Sequence, residues 1–239
     1  MKNLFITATD TDAGKTFVAC AMTQALINTG KKVAVYKPIA AGCHREGDTW
    51  INEDAQLLTE FANGGQNINE VNPITFVDAI APHIAAKKEN LIISIDEIVQ
   101  GYEQVKVINA DINITEGAGG WRLPLTDNNS SQHNLFLSDF VKTSQQSVIL
   151  VVNMKLGCLN HALLTYEAIK ADGLTCIAWI ANTASSQPMN NLAENIISLE
   201  QLLPMPKIAQ LDFYHDSAMT LHDKICAAAN EIDCSSLIL

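Results

Sequence analysis

Short apolar runs alternate with amphipathic stretches along this chain. "NLFIT" at 3–7, "KVAVY" at 32–36, "DINIT" at 111–115, "SVILVV" at 147–152, "TCIAWIA" at 175–181 and "PKIAQL" at 206–211 read as strands, the last the weakest. Most are apolar almost throughout rather than alternating, the pattern of strands covered on both faces. A helix from Gly14 to about Asn28 follows the first, and amphipathic segments at 160–171, 190–203 and 217–229 accompany the later ones. This predicts an α/β fold, a single-domain parallel β-sheet with helices on both faces. Such sheets bind ligands at the carboxyl ends of their strands. The loops after Thr7, Tyr36, Thr115, Val152 and Ala181 are therefore where chemistry is expected.

Composition narrows this picture. A length of 239 residues suits one domain spanning 1–239, and 48% hydrophobic against 17% charged residues supports a packed core. The net charge of −11 argues against a nucleic acid or an anionic membrane as partner, since either needs a basic face. Six cysteines without a C-x-x-C pair suggest reduced thiols in a cytoplasmic protein. The first apolar run is too short for a signal peptide, and "SVILVV" is too short to span a bilayer. Neither H-E-x-x-H, G-x-S-x-G nor G-x-G-x-x-G occurs, which disfavours a zinc site, a serine hydrolase and a dinucleotide fold.

The sharpest chemical signal is "ATDTDAGKT" at 8–16, between the first strand and the first helix. A phosphate loop reads G-x-x-x-x-G-K-[ST] in that setting. Gly14, Lys15 and Thr16 match its end, while Thr9 holds the place of the first glycine. Amides at the helix start and the helix dipole attract phosphate oxygens. This points to a P-loop nucleoside triphosphate hydrolase type of fold. Lys15 is expected to bridge the β- and γ-phosphates and Thr16 to ligate Mg²⁺. A bare Gly-Lys-Thr could open any helix; the order strand, turn, helix favours the nucleotide. Asp10 and Asp12 either cap the turn by accepting backbone N–H groups or face a cationic co-substrate such as an amine. Thr11 is a further candidate for substrate contact.

Other strand ends add to this. Lys37, before Pro38 in "YKPIAAG", is either a solvated strand-end lysine or a ligand for a γ-phosphate or carboxylate. "DINITEGAGG" ends an apolar strand on Glu116, the Walker-B layout, and Gly117, Gly119 and Gly120 let backbone approach a phosphate. Asp54 in "NEDAQLL" reads alone as an N-cap acid; beside Thr16 and Glu116 it could complete the oxygen ligands of Mg²⁺. In "NMKLGCLNHALLT", Gly157 and the following amides form a second anion site at a helix start, with Lys155 adding charge. Cys158, with no base paired to it, reads as a small buried residue, and His161 as packing or capping. Asn182 is either a nucleobase contact or a plain turn residue.

Taken together, "TDTDAGKT", "YKPIAAG", "NEDA", "NPITF…APHIAA", "EGAGGW", "VNMKLGCLNHALLT" and "WIAN" follow the order seen in dethiobiotin synthetases, and the chain resembles that family to about Asn182 and weakly beyond. The resemblance implies a cytoplasmic homodimer with its active site near the subunit interface. It also implies a reaction of 7,8-diaminononanoate, CO₂ and MgATP that gives dethiobiotin, ADP and phosphate. By motif, Asp12, Ala13, Gly14, Lys15, Thr16 and Phe17 would hold the nucleotide with Gly117, Ala118 and Gly119. Asn182, Thr183, Asp212, Phe213 and Tyr214 would lie on the adenine side. Thr16, Asp54 and Glu116 would ligate Mg²⁺, and Lys37 and Lys15 would be catalytic. Thr11, Lys37, Ala41, Lys155, Gly157, Cys158 and Asn160 would meet substrate, the last four across the dimer.

The chain departs from the family pattern in three places. Ala8 replaces a usual glycine, Ala41 a common serine, and "AQLDFYH" lacks an expected Ile-Pro. A partitioning or septum-type switch ATPase is the rival reading. Those proteins carry a second lysine early in the loop, where this chain has Asp10, and no basic amphipathic tail for membrane docking is present. Another ATP-dependent amide ligase is a further alternative, though a glutaminase domain would not fit in this length.

Overall fold

The computed structural model describes residues 1–126, 134–187 and 189–238. From the first strand, β1 (Lys2–Ala8), the chain passes through α1 (Lys15–Asn28) to β2 (Val33–Tyr36). The stretch that follows holds β3 (Ile39–Ala41), β4 (His44–Glu46), β5 (Thr49–Ile51), α2 (Glu53–Phe61), α3 (Ile68–Val71), β6 (Ile74–Phe76), α4 (Pro82–Lys88) and α5 (Ile95–Val107). Next come β7 (Ile112–Glu116), α6 (Leu137–Ser144), β8 (Ser147–Asn153), α7 (Cys158–Ala171) and β9 (Cys176–Asn182). The chain ends with α8 (Leu192–Leu202), β10 (Lys207–Leu211), α9 (Leu221–Ala229) and α10 (Ser235–Ile238).

The six expected strands form one sheet in the order β10-β9-β8-β1-β7-β2, every neighbouring pair parallel. Alternate residues of each strand feed two separate cores, which is why the runs lack a polar face. Leu4, Ile6, Val33, Val35, Ile149, Val151, Ala178 and Ile180 pack on one side with α1 and α9. Phe5, Ala34, Tyr36, Val148, Leu150, Val152 and Trp179 pack on the other with Tyr102, Phe140 and Ile169 from α5, α6 and α7. Burying a side chain of this size stabilises by about 1.5–3 kcal/mol. Helix α1 buries Val18, Ala19, Cys20, Ala21 and Met22 in succession, so it is enclosed on most sides rather than laid on the surface.

Two small sheets lie outside the main one. Strand β3 pairs in parallel with β6, and β4 with β5 forms an antiparallel hairpin. Between 59 and 110, where the sequence pattern predicts no element, the structure adds α3, β6, α4 and α5. Helix α5 carries Ile98, Tyr102 and Val105 on its buried face but also Gly101, which reads as a breaker. A Cβ on Gly101 would lie 2.4 Å from the Tyr36 hydroxyl oxygen, so the glycine admits that ring. Among the described residues, no helix is long and apolar enough to cross a membrane.

Candidate active site at the tip of the central strand

Strand β1 runs in the middle of the sheet, and the loop after it enters α1 at Gly14. Gly14 has φ +77°, a left-handed conformation that costs an L side chain roughly 1 kcal/mol or more. A Cβ there would also meet the Asn182 Nδ2 at 2.3 Å. That amide donates to the Ala13 carbonyl at 2.8 Å and clips the loop to the end of β9. Asn182 is thus tied to the phosphate loop by its NH₂ group. The loop is held from β8 as well: Thr9 N–H donates to the Val151 carbonyl at 3.0 Å, and Asn153 N–H donates to Thr9 Oγ1 at 3.2 Å.

Three elements bring charge to this loop. Glu116, the last residue of β7, is buried, and its Oε1 accepts from Thr16 Oγ1 at 2.8 Å and from Lys37 Nζ at 2.8 Å. Lys37 Nζ also lies 3.3 Å from Asp54 Oδ2 on α2. Burial pushes the Lys37 ammonium down, but the Glu116 and Asp54 carboxylates outweigh it and hold its pKa above the ordinary lysine value. Lys15 is buried too, and there desolvation prevails and lowers its pKa despite Glu116. Its Nζ rests on the Asp10 carbonyl at 3.3 Å.

The backbone around Lys37 is fixed at both ends. Its N–H donates to the Val71 carbonyl at 2.8 Å, and Asn72 Nδ2 donates to its carbonyl at 2.7 Å. Asp54 is not the cap of α2, contrary to its reading from sequence alone. Asn52 is the cap, accepting from Ala55 N–H at 3.2 Å, and Asp54 lies in the first turn, with half its side chain exposed to the cleft. Asn52 Nδ2 also donates to the Ala41 carbonyl at 3.3 Å, joining β3 to α2. Asn52 and Asn72 were missed from sequence, although an asparagine just before Glu53-Asp54 is itself a helix-start signal.

Thr11, Lys15, Thr16, Lys37, Ala41, Asp54, Glu116, Gly117, Ala118 and Gly119 line one cleft of about 780 Å³. Ala79, Ile80 and Leu123, unexpected from sequence, complete its apolar side. A neighbouring pocket of about 440 Å³ is lined by Asp12, Gly14, Phe17, Asn182, Thr183, Asp212, Phe213 and Tyr214. Phe17 and Tyr214 pack there with ring centroids 5.9 Å apart. The remaining substrate candidates lie elsewhere. Lys155 lines a third pocket with Asp12 and Asn153, and Gly157, Cys158 and Asn160 line none of the three.

Two expectations change in kind. Among the described residues, no backbone N–H donates to the Asp10 carboxylate, and Asp10 is not part of the cleft lining. Its carboxylate pairs with Lys155 and accepts from Thr9 Oγ1 at 3.2 Å. The positive charge of Lys155 is thereby taken up within the same chain. Gly157 does cap α7, at φ +96°, and burial pushes the neighbouring Cys158 thiol up, which makes it a poor nucleophile.

A buried carboxylate, a threonine hydroxyl and a second carboxylate form an all-oxygen donor set, the kind Mg²⁺ takes. Among the described residues, Glu116 Oε2 is buried with no hydrogen-bond partner, which is costly unless a cation or water engages it. In this structure the Lys37 ammonium fills the space between the carboxylates. The residues present therefore fit a Mg²⁺ ion.

A phosphate loop on the central strand of a parallel sheet, facing an acid at the tip of the next strand, is the design of a P-loop nucleoside triphosphatase. A family model described as an AAA domain matches residues 2–219. A ParA family ATPase from Chlorobium tepidum superposes with a TM-score of 0.56 at 14% identity, covering 100% of both chains. The MinC:MinD complex of Aquifex aeolicus gives 0.52 at 12%, covering 95% of this chain and 86% of that one. At these identities the likeness is one of fold. The ATP-dependent dethiobiotin synthetase BioD of Alteromonas mediterranea is 46% identical over 217 residues, 89% of this chain and 93% of that protein. That of Pseudoalteromonas translucida is 44% identical over 209 residues, 87% and 89%. This chain belongs to the ATP-dependent dethiobiotin synthetase family.

Proposed function

We propose that this chain, as one domain over 1–239 in a cytoplasmic homodimer, joins CO₂ to 7,8-diaminononanoate at the expense of ATP and closes the ring of dethiobiotin. The observation that carries the reading is the meeting of Thr16, Lys37 and Asp54 around the buried Glu116 carboxylate, one step from the phosphate loop. Pairing of the chains is supported by Leu156 and Leu164, large apolar residues just before and on α7 that stand exposed in the single chain. In a dimer that face, with Lys155, Gly157, Cys158 and Asn160, would approach the partner's cleft.

The reaction needs three bond-forming steps. One amine attacks CO₂ and loses a proton to give a carbamate. A carbamate oxygen then takes the γ-phosphoryl group, releasing ADP and leaving a carbamic-phosphoric anhydride. The second amine attacks the carbonyl carbon and expels phosphate, closing the five-membered ring. Catalysis of this kind rests on positioning and on offsetting charge at the transferring phosphoryl group. Mg²⁺, held by Thr16, Asp54 and Glu116, would supply charge neutralisation between the outer phosphates. Lys15 would bridge those phosphates. Lys37 would offset charge on the carbamate and the γ-phosphate. Main-chain groups of Gly117, Ala118 and Gly119 would hold the outer end of the nucleotide, on the side of the cleft where the carbamate meets the γ-phosphate. Phe17, Asn182, Thr183, Asp212, Phe213 and Tyr214 would enclose the adenine, with Asp12 and Gly14 at the boundary of the two pockets.

The test is phosphate release from ATP with and without 7,8-diaminononanoate and bicarbonate. Release that requires both supports the reading. Release indifferent to the diamine overturns it.

A further inference from the structure

The loop that walls the cleft is anchored from an unexpected direction. After Gly120 the chain places Trp121, buried, edge-on against Phe5 of β1, with centroids 5.9 Å apart at 80°. Phe5 in turn lies beneath Gly117, where a Cβ would be 2.8 Å from its Cζ. The Trp121 indole N–H donates to Asp172 Oδ2 at 2.8 Å. Arg122 grips the same carboxylate with two bonds, Nη1 to Oδ2 at 2.6 Å and Nη2 to Oδ1 at 3.0 Å. Its Nη1 also reaches Ser138 Oγ at 3.1 Å, and its guanidinium lies over the Phe136 ring at 5.7 Å. Asp172 caps the far end of α7, and its side chain is only 10% exposed. None of these groups touches the cleft. Yet Gly117, Gly119 and Leu123, on either side of the anchored pair, all line it.

We propose that Asp172 is a positioning residue: through Trp121 and Arg122 it fixes the Gly117–Leu123 segment as the carbamate-side wall of the cleft. The assignment of that wall rests on the function proposed above. A planar bidentate carboxylate–guanidinium pair is directional, and a buried indole N–H demands a partner. With both on one carboxylate, a single side chain sets the exit angle of the loop. A shift of this wall by a fraction of an ångström would misplace the acceptor oxygen while leaving the adenine pocket, built from α1, β9 and the loop after β10, unchanged.

The proposal is tested with Asp172→Ala, Asp172→Asn and Trp121→Phe. Asp172→Ala should lower kcat about five- to tenfold with KM for ATP within about twofold, because positioning rather than nucleotide binding is lost. Trp121→Phe keeps the ring against Phe5 but lacks the N–H, and should move kcat the same way. The double variant should be no worse than Asp172→Ala alone. Asp172→Asn keeps an acceptor for the indole and should recover part of the loss. Hydrogen exchange on the ligand-free protein gives a readout that needs no activity: amides of 117–123 should exchange faster in Asp172→Ala and those of 14–20 should not. This arm also serves if wild-type protein proves inactive with the diamine, which would overturn the proposed function but not the anchor. Should Asp172→Ala fail to fold, Asp172→Asn and Trp121→Phe carry both readouts. Unchanged kcat in folded variants, multiplying losses in the double variant, or equal acceleration of exchange in both segments would each overturn the proposal.

Discussion

Lys37 sits between two carboxylates in a site whose cosubstrate is itself anionic. The ammonium is 2.8 Å from Glu116 and 3.3 Å from Asp54, and nearly all of it is buried. Removing one member of a buried pair leaves the other uncompensated, at a cost of about 3–5 kcal/mol. Lys37→Ala should therefore lose about that much stability in EDTA, and millimolar Mg²⁺ should return a large part of it by engaging Glu116, Asp54 and Thr16. Wild-type protein, already neutralised by its own lysine, should respond less. Urea unfolding with and without Mg²⁺ reads the difference, and equal Mg²⁺ responses in the two proteins would remove the three oxygens from consideration as a cation site. The same variant should still fold and bind nucleotide in Mg²⁺ but turn over about a hundredfold or more slower, as loss of a charge clamp does elsewhere. From its strand end alone Lys37 reads as either a solvated lysine or a ligand, and the family resemblance makes it catalytic. Asn72 and Val71, thirty-odd positions away, hold its backbone, and its side chain is buried rather than solvated.

Among the elements, those of the main sheet were legible because they carry a strong signal: each strand is apolar on both faces, and each is followed or preceded by a helix. Their ends shifted by about a residue, and Glu116, expected at the tip of its strand, is the last residue of β7. The small elements gave no such signal. Strands β3 and β6 are three residues each and pair with one another outside the main sheet, so period and propensity have too few positions to act on. Helix α5 did carry a readable face, but Gly101 speaks against a helix unless one knows that the Tyr36 hydroxyl must pass. These minor elements hold the cleft together through Asn52, which caps α2 and also grips β3. Asn52→Ala should cost about 1 kcal/mol, the usual worth of a cap. Because α2 presents Asp54, fraying of its first turn should also raise the Mg²⁺ concentration needed for half-maximal activity several-fold. Asn52→Ser, which can still cap, should restore most of it. A stability loss with an unchanged Mg²⁺ requirement would show that Asp54 does not depend on the cap.

Across the whole molecule, packing decides how the protein responds to pH. The described cysteines are all free, and most are buried among apolar side chains. Burial pushes the Cys176 thiol from 9.0 up to about 12 and the Cys234 thiol up to about 11, and it raises Cys20 further still. In the unfolded chain these thiols ionise near 9.0. Above that pH the unfolded state releases protons that the folded state keeps, so stability is complete below pH 9 and falls as pH rises through the folded values. Lys37, raised by its carboxylates, acts in the same direction: its contribution is full below the ordinary lysine value and is lost above it. Lys15 acts the other way, since its lowered pKa makes the unfolded state the better proton binder just below 10.5. One lysine cannot offset these thiols, with Cys43 and Cys158 raised by burial as well, and a second lysine, and each fully titrating group contributes roughly 1.4 kcal/mol per pH unit. Urea midpoints should therefore be flat from pH 7 to about 8.5 and then drop steeply toward pH 11. Cys176→Ala should flatten part of that drop, although removing the sulfur costs some packing at every pH. A midpoint that holds to pH 11 would mean that the unfolded chain keeps these thiols as shielded as the folded one does.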